Sequence, residues 1–460
     1  MKNLKFPTIT ILLFSSLLLY ACDSFLETGP PKDQVSAENA FQDPKSAEAT
    51  ILGLYSNMNS FNNQFNSGLL AILMASTADD YYSAFTSYDE YKLNNITSNS
   101  SYLDRLWIQP YGFIGHANKI IEGIEKSSLP EKVKKQISGE ARFARSFQYF
   151  YLVNLFNKIP LVKTTDVDEA NSIGQSTMED IYRFLVEDLN QAEADLEEQY
   201  QGSERVRPNK GTASSLLARV YLYKGDWENA EIHSTKVIED SRYKLLDNLN
   251  DVFLKTSQEA IWQIQTVNKS TAGVNTWEGF TFVPANPTAR GYYNVFESTM
   301  DSFEQQDKRK QDWLKPYTIA SGTYYLPYKY KVRTNIGNPV TEYNMVLRLA
   351  EQYLIRAEAR LKLNKKALAL SDINIIRKRA GLQPLVEPLS DEQVALAIEK
   401  EKHLELLGEW GHRWFDLNRT KRAVTVLSQT KGNFTQDDTR IPIPQSILLS
   451  NPQLKQNDEN

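Results

Sequence analysis

Two segments that share one set of internal offsets constrain the fold more than any other feature. In the first, Ala218 and Tyr221 fall on one helical face, Gly225-Asp226 interrupt the run, and Ala230, Ser234 and Val237 form a second face. The second segment repeats those offsets with Ala357, Arg360, an interruption at Asn364, then Ala369, Ile373 and Ile376. Small residues at the crossing points let antiparallel helices approach closely, and larger ones fill the groove between neighbouring hairpins. The spacing is tetratricopeptide-like. Two copies are visible, and a generic helical hairpin is the plainer account of each.

Other stretches keep a helical period. Ala47, Ile51, Leu54 and Tyr55 recur at spacings of three and four in a pattern that starts at Ser36. Phe143, Phe147, Phe150, Tyr151 and Leu155 predict a long helix from about Glu140 to Phe156, stopped by Asn157 and Pro160. Between about residues 243 and 343 the period fades, and Gly, Pro, Asn and aromatic residues take over, as in short strands and long loops. There Glu259 to Ile264 alternate like a half-buried strand. Helix returns at Met345, and a last helix opens at the capping box Ser390-Asp391-Glu392-Gln393. The expected fold is all-α, a scaffold of tetratricopeptide-like helix pairs with a loop-rich half containing short strands.

The first 21 residues read as a targeting segment, with Lys2 and Lys5 before an apolar stretch from Ile9 to Tyr20. Twelve residues at 1.5 Å each reach about 18 Å, short of the ~30 Å hydrocarbon core, so the stretch is a signal peptide rather than a span. Cys22 is the only cysteine, which excludes an intrachain disulfide and a cysteine-based zinc site. Leu19 and Ala21 before it suit a lipoprotein signal peptidase, while Tyr20 departs from the usual small or aliphatic residue. Cys22 is therefore the expected lipid anchor, and several acyl chains there would hold the protein stably at a membrane. Residues 22–35, with Gly29-Pro30-Pro31, read as a tether, and residues 36–460 as the folded body, with the loop-rich insertion at about 243–343.

Without Lys2 and Lys5, 50 basic residues stand against 57 acidic ones, a formal charge of −7 with no basic block, so nucleic acid is excluded as a partner. His116, His233, His403 and His412 have no metal-ligand spacing, so no metal and no cofactor is expected. Lys210-Gly211-Thr212 lacks the upstream glycine of a phosphate loop and reads as a helix start. Glu401, Glu405 and Glu409 share a helical face and Asp79-Asp80 are adjacent, yet two carboxylates make a glycosidase only at a set separation across a sugar. Charge pairing of Glu405, Glu409, Arg413 and Asp416 with neighbouring helices is the expected role.

The 24 Tyr, 20 Phe and 7 Trp are unusual in so polar a chain, and some rings are expected on the surface. Sugars present apolar C–H faces edged by hydroxyls, so a sugar site needs flat rings beside Asn, Asp or Arg. Two loop regions have that mixture. One runs from Asp79-Asp80-Tyr81-Tyr82 through Tyr88, Tyr91 and Asn94-Asn95; the other runs from Asn275-Thr276-Trp277-Glu278-Gly279-Phe280 through Arg290-Gly291-Tyr292-Tyr293. Candidate ligand contacts are Trp277 first, then Tyr81, Tyr82 and Arg290, with Tyr88, Tyr292 and Phe280; ordinary loop packing is the alternative for each ring.

Over nearly the whole length these residues resemble the SusD/RagB-like nutrient-binding lipoproteins of Gram-negative outer membranes. The strongest stretches are Arg356-Ala357-Glu358-Ala359, Ile376-Arg377-Lys378-Arg379-Ala380-Gly381-Leu382, Gly411-His412-Arg413-Trp414-Phe415-Asp416-Leu417 and Ile441-Pro442-Ile443-Pro444. Lys402 stands where the family often has arginine, which turns a bidentate carboxylate contact into a point contact. The resemblance implies a non-enzymatic, outer-membrane, lipid-anchored protein facing the cell exterior. It implies capture of a glycan for a SusC-like TonB-dependent outer-membrane transporter, with peptide or another oligomeric nutrient as the alternative ligand.

Overall fold

The computed structural model describes residues 40–60, 64–266, 274–286, 291–336 and 338–457. Its scaffold is a row of helices in which each packs on the next: Leu103–Lys126, Glu131–Phe156, Met178–Asp195, Lys210–Lys224, Trp227–Ile238, Leu349–Lys362 and Lys366–Arg379. The two repeated segments are the Lys210–Lys224/Trp227–Ile238 and Leu349–Lys362/Lys366–Arg379 hairpins, and they are neighbours in space. Their small residues sit where the offsets predict: Ala218, Ala230, Ser234, Ala357 and Ala369 are all fully buried. Gly225 at φ 78° and Asn364 at φ 60° make the two turns; glycine adopts that region freely and asparagine better than most. Arg360 joins the hairpins by donating to Glu231 of the other repeat at 3.1 Å.

Local chemistry sets the helix ends. The first described helix, Pro44–Met58, begins where Asp43 caps the amides of Lys45 and Ser46 and Pro44 occupies the first turn; Ser36 lies outside the described residues. It buries Ala47, Ile51, Leu54 and Tyr55. The Glu131–Phe156 helix extends nine residues before Glu140, up to Pro130, and Asn157 ends it at φ 59°. Asn209 and Thr212 form a capping box at Lys210–Lys224, so Lys210-Gly211-Thr212 is indeed a helix start.

Three expectations need correction. The Ala260–Ile264 strand is buried on both faces, not half-buried: Trp262 is edge-on to Phe143 at 4.8 Å and to Phe147 at 5.2 Å. Helix resumes at Leu349, not Met345, because Asn344–Arg348 is the antiparallel partner of that strand. The capping box at Ser390 does open a helix, Asp391–Glu405, but His412–Arg419, Ala423–Lys431 and Gln445–Ser450 follow it.

A buried ion network joins the loop-rich half to the scaffold. Arg348, at the end of its strand, donates to Glu259 at 2.9 Å, Glu405 at 2.5 Å and both oxygens of Glu409 at 2.8 Å. Arg379 donates to Glu259 and Glu405, Arg309 to Asp307 and Glu401, and Lys329 to Glu409. Burial alone would raise the Glu405 pKa, but Arg379, Arg348 and Arg309 outweigh it and hold the carboxyl well below the ordinary range. Lys402 makes point contacts to Glu358 and to Asp416, the latter at 3.2 Å.

Candidate functional site

The two nominated loop regions, about 200 residues apart, meet in a short antiparallel pair. Tyr81–Ser83 runs against Tyr293–Val295 with Tyr82 opposite Asn294, and the Ala84 amide donates to the Tyr292 carbonyl at 2.7 Å. Successive residues on a strand face opposite sides. Tyr81 therefore points inward, 1% exposed, against Phe282 at 5.1 Å and Tyr293 at 6.2 Å, and burial raises its pKa well above the ordinary value. Its place among the ligand contacts is withdrawn. Gly408, at φ 69°, lies so close to this ring that an added Cβ would meet it at 2.5 Å.

Tyr82 faces the other way. It is half-buried, tilted against Phe296 at 4.8 Å, with the Lys92 ammonium 4.2 Å over its ring. Tyr292 is 47% exposed and stacks on the equally exposed Phe85, with centroids 4.6 Å apart and planes 23° apart. Tyr88 is half-buried in a stack with Tyr102 at 4.8 Å. Trp277 and Phe280 are half-buried on the Trp277–Phe282 helix, in an edge contact at 6.0 Å, and Arg333 lies 4.2 Å over Phe280. Phe282, on the same helix, packs against Tyr81 and Tyr293 and so ties it to the strand pair. Arg290 and Cys22 lie outside the described residues.

Two members of this surface escaped the sequence reading. Phe85 stands between Tyr82 and Tyr88 with polar Thr86 and Ser87 after it, which was the available signal. The other is a hairpin, Leu314–Ile319 with Gly322–Pro327, where Tyr317 and Tyr324 stack at 5.7 Å. The Tyr317 hydroxyl donates to Asn294 at 2.6 Å, which carries the hairpin onto the strand pair.

Beneath the rings the carboxylates are committed. Arg413 holds both oxygens of Asp79 at 2.8 and 3.1 Å. Burial pushes the Asp79 pKa up, but His403 and Arg413 bring it down to about 2. Asp80 accepts the Gly408 amide at 3.0 Å and lies 3.1 Å from His403 Nε2. Asp79, Asp80 and His403 thus form a buried acidic cluster that sequence spacing concealed, but its oxygens are turned to arginine, histidine and backbone. Glu401, Glu405 and Glu409 are taken up by the network around Arg348 and Arg309, as charge pairing predicts for Glu405 and Glu409.

Glu278, beside Trp277, is a buried carboxyl whose pKa is raised to about 8 by burial and by Glu409, with Lys329 and Tyr330 opposing. Its ordinary value is 4.5, so between about pH 4.5 and 8 the unfolded chain has lost this proton while the folded chain keeps it. The folded state then binds more protons, and stability falls as pH rises through that window. Glu278→Gln is expected to raise the thermal midpoint by several degrees at pH 8 and to leave it nearly unchanged at pH 4.5, measured by calorimetry at both pH values.

Comparisons with known proteins agree with this architecture. The model described as "SusD family" matches residues 302–459, and the one described as "Starch-binding associating with outer membrane" matches residues 24–222. A SusD-like protein of Formosa agariphila is 26% identical, with 99% of each chain covered. The starch-binding protein SusD of Bacteroides thetaiotaomicron is 24% identical, over 69% of this chain and 72% of its own. Among solved structures, a laminarin-binding SusD-like protein superposes with a TM-score of 0.79 at 25% identity, over 91% of this chain and 100% of its own. With family models matching both ends of the chain, relatives matched over their full length, and a solved SusD-like protein sharing the scaffold, the chain belongs to the SusD/RagB-like family.

Proposed function

We propose that the protein is a non-catalytic glycan-binding subunit of the outer membrane, anchored through Cys22 and facing the cell exterior. It holds an oligo- or polysaccharide on the aromatic surface around Phe85 and Tyr292 and passes it to a SusC-like TonB-dependent transporter. The observation that carries this reading is the exposed Phe85–Tyr292 stack, with Tyr82 on the same outward side of the strand pair. Exposed flat rings offer apolar area to a sugar face at little conformational cost. Relatives that bind starch and laminarin support a saccharide over a peptide. The commitment of Glu401, Glu405, Glu409 and Asp79 to buried cations supports binding without turnover.

A glycan array probed with the protein lacking residues 1–21 tests the reading, and absence of binding to any saccharide at millimolar concentration overturns it. On the saccharide so found, Trp277→Ala is expected to weaken binding about tenfold, since a stacked ring contributes roughly 1 kcal/mol beyond its area. Calorimetric titration measures the loss. A drop in thermal midpoint without selective loss of affinity assigns Trp277 to the packing of its helix.

A further inference from the structure

The rings of this surface are interleaved with lysines. On the Leu314–Ile319/Gly322–Pro327 hairpin, Lys315 and Tyr317 alternate onto the same face, and Tyr324 is the direct cross-strand partner of Tyr317. Lys315 lies 5.1 Å over the ring of Tyr328, just beyond the hairpin, and Lys331 lies 4.5 Å over that same ring. Two ammonium groups therefore converge on one tyrosine. A ring's quadrupole attracts a cation over its face, and these two ammonium groups share one ring.

Carboxylates do not relieve this. No carboxylate of the described residues lies within 4.0 Å of either ammonium. Lys331 donates to the backbone carbonyl of Asp312 at 2.6 Å. Glu342 accepts the backbone amides of Lys331 and Val332 instead, and burial raises its pKa to about 7. Burial also lowers the pKa of Lys331, with Asp312 and Glu342 pulling the other way.

This cationic patch is continuous with the glycan surface. The Tyr317 hydroxyl approaches the Gly291 carbonyl at 3.4 Å, one residue from Tyr292, and a Cβ added at Gly291 would lie 3.0 Å from the Tyr317 ring. At the other end of the surface, Lys92 sits over Tyr82. The body carries a formal charge of −7 without Lys2 and Lys5. Its field is screened beyond about 8 Å at physiological salt, so these local cations decide which charge is welcome at the rings.

We propose that the saccharide bound at this surface is anionic, bearing carboxylate or sulfate groups that Lys315 and Lys331 neutralise while Tyr292, Tyr317 and Tyr324 cover the sugar faces. The inference rests on the glycan-binding reading and adds the charge of the ligand to it. Carboxylate and sulfate share the chemistry that two convergent ammonium groups recognise, and the probes separate them.

The test is calorimetric titration of the protein lacking residues 1–21 with an oligouronate, a sulfated galactan oligosaccharide and a neutral β-1,3-glucan of matched length. The expected result is binding of the oligouronate or the sulfated oligosaccharide in preference to the glucan. Lys315→Gln with Lys331→Gln weakens it about tenfold, and so does raising the salt from about 0.05 to 0.5 M. Lys315→Glu, at a half-buried strand position, repeats the loss where the double variant folds poorly, as checked by its thermal midpoint. Binding of the neutral glucan alone, lost in Tyr292→Ala and indifferent to salt and to Lys315, overturns the inference while leaving the glycan-binding reading intact. Absence of binding to all three, with no hit on a wider array, overturns both.

Discussion

Arg348→Ala is expected to lower the unfolding free energy by about 3–5 kcal/mol, the range found when one partner of a buried ion network is removed. The size follows from what stays behind. Glu259, Glu405 and Glu409 are all buried, and each has an oxygen within 2.9 Å of the Arg348 guanidinium. Without it, Glu405 keeps Arg379 and Arg309, but among the described residues Glu259 keeps only Arg379 and Glu409 only Lys329 as a cation partner. The loss should appear as a lower urea midpoint with the slope nearly unchanged, because the surface exposed on unfolding is the same. Arg348→Ala with Glu409→Gln should recover part of the loss, since one orphaned charge is gone. The network also fixes the acid limit. Glu405 is depressed below its ordinary 4.5, so its contribution is complete above that pH and is lost as pH falls through the folded-state value. An Arg348→Ala protein as stable as the wild type would show that the loop-rich half is held by packing alone.

Phe85→Ala combined with Tyr292→Ala should weaken saccharide binding about a hundredfold, roughly tenfold per ring, while shifting the thermal midpoint by no more than a degree or two. The two rings stack on each other with 47% of each still exposed, so little buried area is lost from the fold. The contrast with Tyr81 sharpens the test. Tyr81→Ala removes a ring that is 1% exposed, which should cost stability in the 3–5 kcal/mol range of buried aromatic truncations. Affinity measured well below its lowered midpoint should be nearly unchanged. A double variant that keeps full affinity would move the site away from the strand pair.

The contrast between neighbouring tyrosines also shows where sequence reading stopped. Tyr81, Tyr82 and Tyr88 stand in one polar, aromatic stretch with nothing local to rank them. A short strand turns Tyr81 inward and Tyr82 outward, and that strand exists only because residues 293–295, over 200 positions away, pair with it. Phe85 went unnoticed for the same reason, since its exposure is fixed by Tyr292 across the pair.

What the sequence determined by itself is what depends on neighbours a few residues apart. The repeated offsets around Gly225 and Asn364 set the two helical hairpins, because contacts at three and four residues and a left-handed turn residue are local properties. The capping boxes at Asn209 and Ser390 are local in the same way. Tertiary structure alone decided the rest. Asp79 finds Arg413 across 334 positions and Glu405 finds Arg348 across 57, and no spacing rule reaches that far. The two-sided burial of Ala260–Ile264 likewise depends on Phe143 and Phe147 of a distant helix. Which rings remain exposed to meet a sugar is decided by what the other rings are packed against, and that is a property of the assembled chain.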